Sequence, residues 1–390
     1  MLRSLYSGIS GLRAHQTMLD VTGNNIANVN TAGFKASSTQ FQDTLSQLQQ
    51  GATGPQAQSG GSNPAQIGLG VRIAGVTTNF SQGSSQSTGR ATDMMISGDG
   101  FFVTSKGGQQ LFTRAGSFSP DAANQLVSPD GGILQGWPAN NGQVTAGGPV
   151  GDITLNPNTM IAAATKKVTL DGNLPAEGAT VDRLVKVYDA TGAERNLALK
   201  FTGSGNSWTV NATDDNGSTN SAVLTFNNGQ LTGPGSMTVG TGAAQITVDL
   251  SKVSSYAKMD SLAVSGQDGA PVGKLESYTL GSDGSLVGSF SNGLKQVLAK
   301  IALAKFTNPA GLEKAGGSSY VATGNSGGVQ LGAAGDPGIG TLTGGNLEMS
   351  NVDLSQEFTN LIVAQRGFQA NARIITTSDE VLQELTQLKR

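Results

Sequence analysis

The stretch NLEMSNVDLSQEFTNLIVAQRGFQANARIITTSDEVLQELTQLKR (residues 346–390) organises the rest of the chain. Its apolar residues recur in steps of three and four, with one heptad step from Leu361 to Phe368, which is the period of a coiled-coil seam. Ser350 and Asp353 form a predicted capping pair at the start. We therefore predict a long amphipathic helix that requires a partner. Its apolar stripe consists of Leu354, Phe358, Leu361, Phe368, Ala372, Ile375 and Leu382.

A matching stripe lies at the other end of the chain. It consists of Leu2, Leu5, Ile9, Leu12, Leu19 and Ile26. All 12 prolines lie between Pro55 and Pro337, so neither end contains the residue that most strongly breaks a helix. We predict helices at both ends, the first over residues 1–32, and we expect them to pair as a coiled coil.

Glycines weaken the first of these helices. Gly8 and Gly11 each cost about 1 kcal/mol of helix stability relative to alanine. A long helix of weak propensity gains most of its stability from packing. The sequence leaves two alternatives open: a segment that is mobile until it meets a partner, and a helix packed permanently on its own domain.

An asparagine-rich segment, GNNIANVNTAGFK (residues 23–35), follows the first helix. Asparagine side chains compete with the backbone for hydrogen bonds, and a glycine such as Gly33 adopts positive φ without strain. The segment is therefore predicted to end the helix and turn the chain. A carbohydrate or metal site is disfavoured because no carboxylate lies within it. The residues assigned to this turn are Asn24, Asn25, Asn28, Asn30, Gly33 and Phe34.

The central part of the chain has the composition of a strand-rich protein. The 390 residues of the whole chain include 56 glycines, and 13% of them are charged, about half the usual share. Asp-Gly and Asn-Gly pairs recur along it, and they are typical of tight hairpin turns. We predict hairpins over residues 125–137 and 184–201, and a flexible linker or an adaptable arm over residues 41–63. The fold class is therefore mainly β with α-helical termini.

Several kinds of chemistry have no support in the sequence. There is no cysteine, His15 is the single histidine, and no phosphate-binding loop or complete calcium loop occurs. We expect no enzyme activity, and we assign no catalytic, cofactor-binding or metal-binding residue. The net charge of -3, without a Lys/Arg cluster, disfavours nucleic acid. Membrane insertion is disfavoured because no apolar run reaches about 18 residues.

Two motifs at opposite ends resemble a known family. LDVTGNNIANVNTAGFK (residues 19–35) resembles the shared N-terminal signature of bacterial flagellar rod and hook proteins. FTNLIVAQRGFQANARIITTSDEVLQEL (residues 358–385) resembles their C-terminal signature. Residues 79–103 and 306–320 are similar to the two halves of the conserved β domain of the hook members. The two motifs occur in the family's order, which makes the resemblance specific.

This pattern predicts nested domains, each built from both halves of the chain. Residues 1–70 and 346–390 form a terminal helical domain with its linker. Residues 71–149 and 272–345 form an inner β domain, and residues 150–271 form an outer, variable β domain. Apolar helices at the ends of a subunit can pack against copies of that subunit. A head-to-tail contact that does not close produces a helical filament.

The resemblance implies a structural function. The chain is expected to be a subunit of the flagellar hook, a curved hollow tube that acts as a universal joint and transmits torque from rod to filament. The apolar stripes of the two terminal helices are the expected assembly residues. The alternatives are a distal rod protein and, less favoured, a secreted β-rich adhesin or glycan-active protein.

The resemblance also implies partners and a location. The expected partners are further copies of the chain, the flagellar rod, the hook cap and hook–filament junction proteins, and the type III flagellar export apparatus. The N-terminal segment does not have the pattern of a cleavable secretory signal, because Ser4, Ser7 and Ser10 interrupt its apolar run. We expect a location in the hook, outside the cell, after export without cleavage.

Overall fold

The computed structural model describes residues 2–55, 60–204 and 206–387, which fall into two compact units. One unit holds both chain ends, and the other is inserted into it, as a nested chain requires. The predicted division into three domains, with borders near residues 150 and 271, stays a prediction. Unit 1 comprises Met1–Leu155, Leu280–Leu286 and Val297–Arg390, and unit 2 comprises Asn156–Thr279 and Val287–Gln296.

Two helices form the ends of the chain, and they pack against each other. Helix α1 spans Leu2–Ala27 and helix α2 spans Leu354–Gln387. α1 ends at Ala27, not near residue 32 as predicted. The reason is local: the side-chain Nδ2 of Asn28 donates to the backbone oxygen of Asn24 at 2.9 Å, in competition with its own N–H at 3.2 Å, and the next N–H, that of Val29, bonds three residues back to Ile26 at 3.3 Å.

The start of α2 depends on Asp353. Its Oδ1 accepts hydrogen bonds from the N–H groups of Ser355 at 2.8 Å and Gln356 at 3.2 Å. These bonds satisfy donors that have no partner inside the helix. Asp353 is therefore the N-cap itself, which corrects the predicted capping pair. The hydroxyl of Ser350 instead accepts from the N–H of Val352 at 3.3 Å, before the helix begins.

The strands are numbered along the chain. In the first part of unit 1 they are β1 (Ser37–Asp43), β2 (Ser46–Gln50), β3 (Ala65–Gly68), β4 (Val71–Thr78), β5 (Ser85–Ser87), β6 (Met94–Ser97), β7 (Phe101–Lys106), β8 (Gln109–Thr113), β9 (Ser119–Pro120), β10 (Leu126–Val127), β11 (Ile133–Pro138) and β12 (Gly151–Asp152). The inserted segment continues with β13 (Met160–Ala163), β14 (Lys167–Pro175), β15 (Ala179–Tyr188), β16 (Glu194–Ser204), β17 (Ser207–Asp214), β18 (Thr219–Asn227), β19 (Gln230–Leu231), β20 (Ser236–Val239), β21 (Ile246–Tyr256), β22 (Ala263–Gln267) and β23 (Ala270–Leu280). The remaining strands are β24 (Ser285–Phe290), β25 (Lys295–Lys305), β26 (Glu313–Gly316), β27 (Ser319–Val321), β28 (Gln330–Ala333), β29 (Thr341–Gly344) and β30 (Asn346–Glu348), and short 3₁₀ helices occur at Gly242–Ala244 and Pro309–Gly311.

The body of unit 1 is a sheet packed around aromatic side chains. Strands β7 and β8 form an antiparallel hairpin, and β11, β25 and β27 pair along its edges. The rings of Phe112 and Phe306 lie edge to face with centroids 4.8 Å apart, and Tyr320 packs against Phe101 in the same cluster. The predicted hairpin over residues 125–137 is present, since β10 pairs antiparallel with β11.

The segment predicted as a flexible linker contains strands instead. β1 pairs antiparallel with β4, and β2 pairs antiparallel with β3. Backbone hydrogen bonds to β3 and β4, later in the chain, hold the segment in an extended form. Composition alone does not reveal these pairings. Residues 56–59, at the centre of the predicted linker, lie outside the described residues.

Unit 2 is built around a sheet with a continuous apolar core. Strands β15 to β18 follow one another as antiparallel neighbours, and β14 pairs parallel with β21. Alternate residues of β17 are buried, as expected for a strand with one face on a core. The hairpin predicted over residues 184–201 is formed by β15 and β16. The largest core side chains, Phe201 and Trp208, are fully buried.

One turn shows why Asn-Gly pairs mark the hairpins. Asn228 and Gly229, between β18 and β19, have φ values of 50° and 80°. Two consecutive positive φ values are what a tight two-residue hairpin turn requires. Gly229 also lies against the ring of Tyr256, since a Cβ atom there would be 2.5 Å from Tyr256 Cδ1. Sheets in both units and paired helices at the ends confirm the predicted fold class, mainly β with α-helical termini.

Candidate functional site

The two terminal helices meet in one antiparallel register. The hydroxyls of Ser4 and Ser378 lie 3.5 Å apart at one end of the contact. At the other end, Asn25 Nδ2 donates to Glu357 Oε1 at 3.0 Å. Ser4 and Asn25 are separated by 21 positions, and so are Glu357 and Ser378. The two helices therefore keep one constant register along most of α1.

Small residues form the seam between the helices. A Cβ atom on Gly11 would lie 2.7 Å from Asn371 Oδ1, and one on Gly367 would lie 2.5 Å from His15 Cε1. A Cβ on Gly8 would lie 3.3 Å from Ile375 Cγ1. Contacts below about 3 Å are closer than a real Cβ atom tolerates, so a side chain at Gly11 or Gly367 would have to displace the Asn371 or His15 side chain. The helix axes consequently approach closely.

The structure places the leucine stripe of α1 beside this seam. Each seam residue of α1 comes directly before a residue of the predicted stripe, or before Gln16, which has the same helical spacing. These seam residues are Ser4, Gly8, Gly11, His15 and Asn25. One residue corresponds to a rotation of about 100° around a helix. Leu5, Leu12, Leu19 and Ile26 are half-buried there, Ile9 is 39% exposed, and the side chain of Leu2 lies outside the described part of the structure. Periodicity identified the apolar face, whereas side-chain size determined which face meets α2.

The stripe of α2 is divided between the seam and its surroundings. Ile375 contacts the seam at Gly8, and Leu361, Ala372 and Leu382 are half-buried. Leu354, Phe358 and Phe368 are 40%, 52% and 38% exposed. Sequence reasoning missed the seam residues Glu357, Gly367 and Asn371, because a search for apolar periodicity passes over glycine and polar side chains. The assembly role of the stripes stays a prediction.

α1 also packs on strands of its own unit. Ser10 Oγ donates to the backbone oxygen of Ser7 at 2.8 Å and accepts from the N–H of Val71 at 3.2 Å. The His15 ring lies 5.8 Å from the Phe41 ring, centroid to centroid. Of the two alternatives left by the sequence, the structure has the helix packed on its own chain.

The asparagine turn joins three elements. Asn25 is buried, its Nδ2 donates to the backbone oxygen of Ser37 at 2.8 Å and to Glu357, and its Oδ1 accepts from the N–H of Ser37 at 3.0 Å. One amide thus ties α1 to β1 and to α2. Asn28 Nδ2 donates to Asn24, and its Oδ1 accepts from the hydroxyl of Thr31 at 3.0 Å.

The end of the turn is also fixed. Gly33 has a φ of 69°, and its N–H donates to the backbone oxygen of Glu348 at 2.8 Å. Phe34 is covered by Lys314, whose Nζ lies 5.2 Å from the ring centroid. Asn30 is exposed. Of the predicted turn residues, the structure brings Asn25 and Gly33 into contact with the C-terminal segment.

A buried ion cluster lies directly after this turn. Lys35 Nζ is 2.5 Å from Glu348 Oε1, and Arg114 Nη1 is 3.5 Å from Glu348 Oε2, with all three side chains at most 3% exposed. Lys35 also donates to the backbone oxygen of Ser81 at 2.8 Å, and the N–H of Gly83 donates to Glu348 Oε1 at 2.9 Å. The cluster joins the segment after α1, the sheet of unit 1 and the segment before α2.

Burial shapes the electrostatics of this cluster. Removal from water lowers the pKa of Lys35 and that of Arg114, and the Glu348 carboxylate opposes both shifts. Burial raises the pKa of the nearby Tyr320 to about 12. Sequence reasoning included Lys35 in the signature segment but missed Glu348 and Arg114. Their partnership spans more than 300 residues of chain for Lys35 and Glu348, so no local pattern indicates it.

A cavity of about 750 Å³ lies under the asparagine turn in unit 1. Its charged lining groups already have partners: Lys314 Nζ donates to Ser37 Oγ at 2.8 Å, and Asp130 Oδ2 lies 3.9 Å from Lys106 Nζ. Among the described residues, no cluster of three or more His, Cys, Asp or Glu side chains is arranged to hold a metal ion. No helix in the described ranges has both the length and the apolar character needed to cross a membrane.

Comparison with known protein families agrees with this arrangement. Three family models match the chain: "Flagella basal body rod protein" over residues 5–35, "Flagellar hook protein FlgE/F/G D1 domain" over residues 95–175, and "Flagellar basal body rod FlgEFG protein C-terminal" over residues 343–388. The first and last of these matches cover most of α1, the whole asparagine turn and all of α2.

Similar proteins extend the match to the whole chain. A flagellar hook protein, FlgE of Borreliella burgdorferi, is 40% identical over 441 aligned residues that cover 100% of this chain and 100% of that protein. The chain belongs to the flagellar hook protein family. FlgE of Salmonella typhimurium, another hook protein, is 36% identical, with 99% and 100% of the two chains covered.

Two further similarities are weaker. FlgG of Bacillus subtilis, a flagellar basal-body rod protein, is 34% identical and covers 100% of both chains. Among solved structures, a flagellar hook protein FlgE2 of Helicobacter pylori has a TM-score of 0.48 at 15% identity, covering 68% of this chain and 100% of that one. The hook protein family is a family of structural flagellar proteins, and the expectation of a non-enzymatic protein agrees with that.

Proposed function

We propose that this chain is the structural subunit of the flagellar hook and that its copies pack through the apolar surfaces of the terminal helices. The observation that carries the proposal is the exposure of large apolar side chains on α2. Phe358, Ile362 and Val363 are 52%, 56% and 55% exposed. A series of exposed apolar residues on one element is typical of a surface that another protein covers.

The positions of these residues favour copies of the same chain as the partner. At about 100° per residue, Leu354 and Phe358 fall on one flank of the seam, Val363 and Val381 fall on the other, and Ile362 faces away from it. A subunit with apolar surfaces on both flanks of one helix pair can be contacted from two sides at once. Contacts of this head-to-tail type extend into a helical polymer when the rotation does not close.

The remaining features support a tube that transmits force. Asn25 and the cluster of Lys35, Glu348 and Arg114 tie the helix pair to the sheet of unit 1. We propose that the polymer is a curved hollow tube in which the helices form the inner wall, and that it works as a universal joint between rod and filament. Buried, hydrogen-bonded ions resist separation because each would otherwise lose its partner away from water.

Bending requires the outer surfaces of neighbouring copies to slide. The ion pairs of unit 2, such as Lys186 with Glu194 and Arg183 with Asp260, form within a single copy. Charges that already have partners form few strong contacts with a neighbour. We propose that the outer surfaces slide for this reason. An engineered ion pair between outer units of adjacent copies would then stiffen the tube, and the swimming of cells that carry it would show the change.

The other proposed contacts follow from the family. They are the flagellar rod, the hook cap and the hook–filament junction proteins. Export through the flagellar type III apparatus, without cleavage of a signal, places the assembled protein outside the cell. No catalytic activity, cofactor or metal is part of this proposal. A rod subunit is the second candidate because of the similarity to FlgG, and a straight polymer in place of a curved one would favour it.

The experiment is seeded polymerisation observed by negative-stain electron microscopy. Purified full-length chain is added to short hook fragments under precipitating salt, and the lengths and curvature of the tubes are measured. The test variant is Phe358→Asp. The matched control is Val223→Asp, since Val223 is 50% exposed on unit 2 and differs from Phe358 chiefly in its location.

The wild type and Val223→Asp are expected to extend the fragments, whereas Phe358→Asp extends them at least about tenfold more slowly, because a charge replaces an apolar anchor. Circular dichroism confirms that each variant is folded. Equal extension by Phe358→Asp and wild type would show that this surface is not the contact. A folded wild type that never extends fragments would contradict polymerisation itself.

A further inference from the structure

Two side chains in the helix seam form a reciprocal pair of contacts. Asn371 of α2 lies over Gly11 of α1, and His15 of α1 lies over Gly367 of α2. Gly11 and His15 are four residues apart, and so are Gly367 and Asn371. Each helix thus contributes one glycine and one larger polar side chain, one turn apart.

Both larger side chains are held by further contacts. Asn371 Nδ2 donates to the backbone oxygen of Gly367 at 2.9 Å, which keeps the amide against its own helix. The His15 ring lies between Gly367 and the ring of Phe41, which is 5.8 Å away between centroids. Neither side chain can rotate away without losing a contact, so both are rigid features of the seam.

A slip of the helices would break these contacts. A shift by one heptad places His15 opposite Asn360 or Ile374 in place of Gly367, because contacting residues keep a constant register. A ring that fits over a glycine would meet a large side chain there. Polar residues in a helix seam are known to fix register in this way, at some cost in stability.

The same contacts select between two faces of α1. Its leucine stripe lies about 100° from the seam and has the stronger coiled-coil pattern. If the two stripes packed on each other within one chain, the apolar surface would be lost to neighbouring copies. The glycine contacts oppose that arrangement, since the stripe positions of α1 carry no glycine.

We propose that His15 and Asn371 are positioning residues that fix the register and the face of the terminal helix pair, and that they thereby keep the leucine stripes available for neighbouring copies. The register is a property of the single chain. Only the second part, the availability for copies, rests on the proposed function.

Cysteine trapping measures the register directly, because the natural chain has no cysteine. The in-register pair is Ser4→Cys with Ser378→Cys, whose hydroxyls lie 3.5 Å apart in the natural protein. The slipped pair is Ser4→Cys with Leu385→Cys, one heptad further along α2. Mild oxidation of the dilute full-length chain is followed by electrophoresis. The in-register pair is expected to form its disulfide at least about tenfold faster than the slipped pair, since the thiols of a slipped pair lie too far apart.

The test variant carries Gly11→Ala and Gly367→Ala. Alanine raises intrinsic helix propensity at both positions, so a loss of the natural register reports the steric contact and not a weaker helix. We expect in-register trapping to slow about tenfold, as for an overpacked site. Gly23→Ala is the matched control: Gly23 is in α1, no atom lies within 4 Å of its Cβ position, and trapping should be unchanged.

Rescue variants keep the test decisive if the alanines also perturb folding. Adding His15→Ala and Asn371→Ala removes the two side chains that the new methyl groups meet, so the in-register rate should return to within about threefold of wild type. Because these side chains also exclude the slipped register, the slipped pair should then form its disulfide at a rate within about threefold of the in-register pair. Equal rates for the wild type and the double-alanine variant would overturn the assigned register role. A failure of rescue, with circular dichroism unchanged, would overturn it as well.

The same variants in seeded polymerisation test the link to assembly. Slower extension by the double-alanine variant supports it, and the variant that also lacks His15 and Asn371 should stay slower than wild type, because its register is no longer fixed. Slow trapping with normal extension would overturn the link while the register role stands. If the wild type shows normal trapping but never extends fragments, the proposed function fails and the register assignment does not.

Discussion

The terminal helix pair and the sheet of unit 2 are stabilised in opposite ways. Among the described residues of α2, only Glu357 and Ala364 are buried, and its seam with α1 consists mainly of glycine, serine and polar side chains, with Ile375 packed on Gly8. Unit 2 instead encloses Phe201, Trp208 and Leu224 completely. The sheet is complete within one chain. The helix pair leaves large apolar side chains exposed in the single chain, as a contact between polymer subunits requires.

Charged residues show the same contrast. At the base of the helices, Lys35 and Glu348 form an ion pair with no exposed side-chain surface. In unit 2, Lys186 and Glu194 form a pair with side chains 66% and 49% exposed. A buried pair resists the removal of either partner, whereas an exposed pair contributes little. Polar groups thus hold the chain ends, and apolar groups hold the sheet of unit 2.

The largest expected effect is that of Glu348→Ala. It leaves the buried Lys35 and Arg114 without their anion, and breaking a buried pair costs about 3–5 kcal/mol. The free energy of unfolding from urea titrations measures the loss. Glu194→Ala is the control, and it should cost about 0–1 kcal/mol. Similar losses for the two variants would remove the contrast between buried and exposed ion pairs.

Leu224→Ala should have the next largest effect, and it should be confined to unit 2. Leu224 is fully buried in the core, and such a truncation costs about 3 kcal/mol. In a Trp137→Phe background, the fluorescence of Trp208 reports the unfolding of unit 2. Val223→Ala, at the exposed neighbouring position, serves as the control and should change stability by less than about 0.5 kcal/mol. Hook-fragment extension at low temperature should persist in both variants.

Tyr320→Phe should reduce the loss of stability that unit 1 shows at alkaline pH. Burial raises the pKa of Tyr320 to about 12, above the value of about 10 for an exposed tyrosine. The stability linked to this shift is present below about pH 10 and is lost as the pH rises toward about 12.

The stability linked to the raised pKa of Tyr320 is on the order of 2 kcal/mol. Urea unfolding at pH 8 and pH 11 should therefore show a smaller loss for Tyr320→Phe than for wild type. Lys35, whose pKa is lowered, acts in the opposite direction but is present in both proteins. The control is Tyr6→Phe, because Tyr6 is 69% exposed, and a loss equal to that of wild type is expected. Equal losses for Tyr320→Phe and wild type would contradict the role of burial.

The smallest expected effect is that of Asp249→Asn on the stability that unit 2 loses at acid pH. Hydrogen bonds from the Ser251 hydroxyl at 2.7 Å and from Lys167 lower the pKa of Asp249 to about 2. This stability is present above about pH 4 and is lost as the pH falls toward about 2. The variant should lose less stability between pH 5 and pH 2.5 than wild type, as followed by Trp208 fluorescence. The exposed Asp182→Asn is the control, and an unchanged loss of stability at acid pH in Asp249→Asn would contradict the prediction.

Local patterns in the sequence determined the elements. The three-and-four spacing from Leu354 to Leu382 predicts a helix, because side chains that far apart share one face of a helix. Asn228-Gly229 produces a hairpin because few other residue pairs tolerate two positive φ values. The motifs at residues 19–35 and 358–385 also identified the family, since both are continuous in the chain.

The tertiary structure alone decided which residues meet. Gly11 was notable in the sequence only as a weak point of a helix, yet it is where Asn371 fits. Glu348 gave no signal, since its partner Lys35 lies 313 residues away along the chain. Likewise, the strands of residues 37–50 form only when their partners at residues 65–78 are alongside. Periodicity and turn chemistry act between neighbours in the chain, whereas seam size, buried charge and strand pairing depend on distances that exist only after the chain has folded.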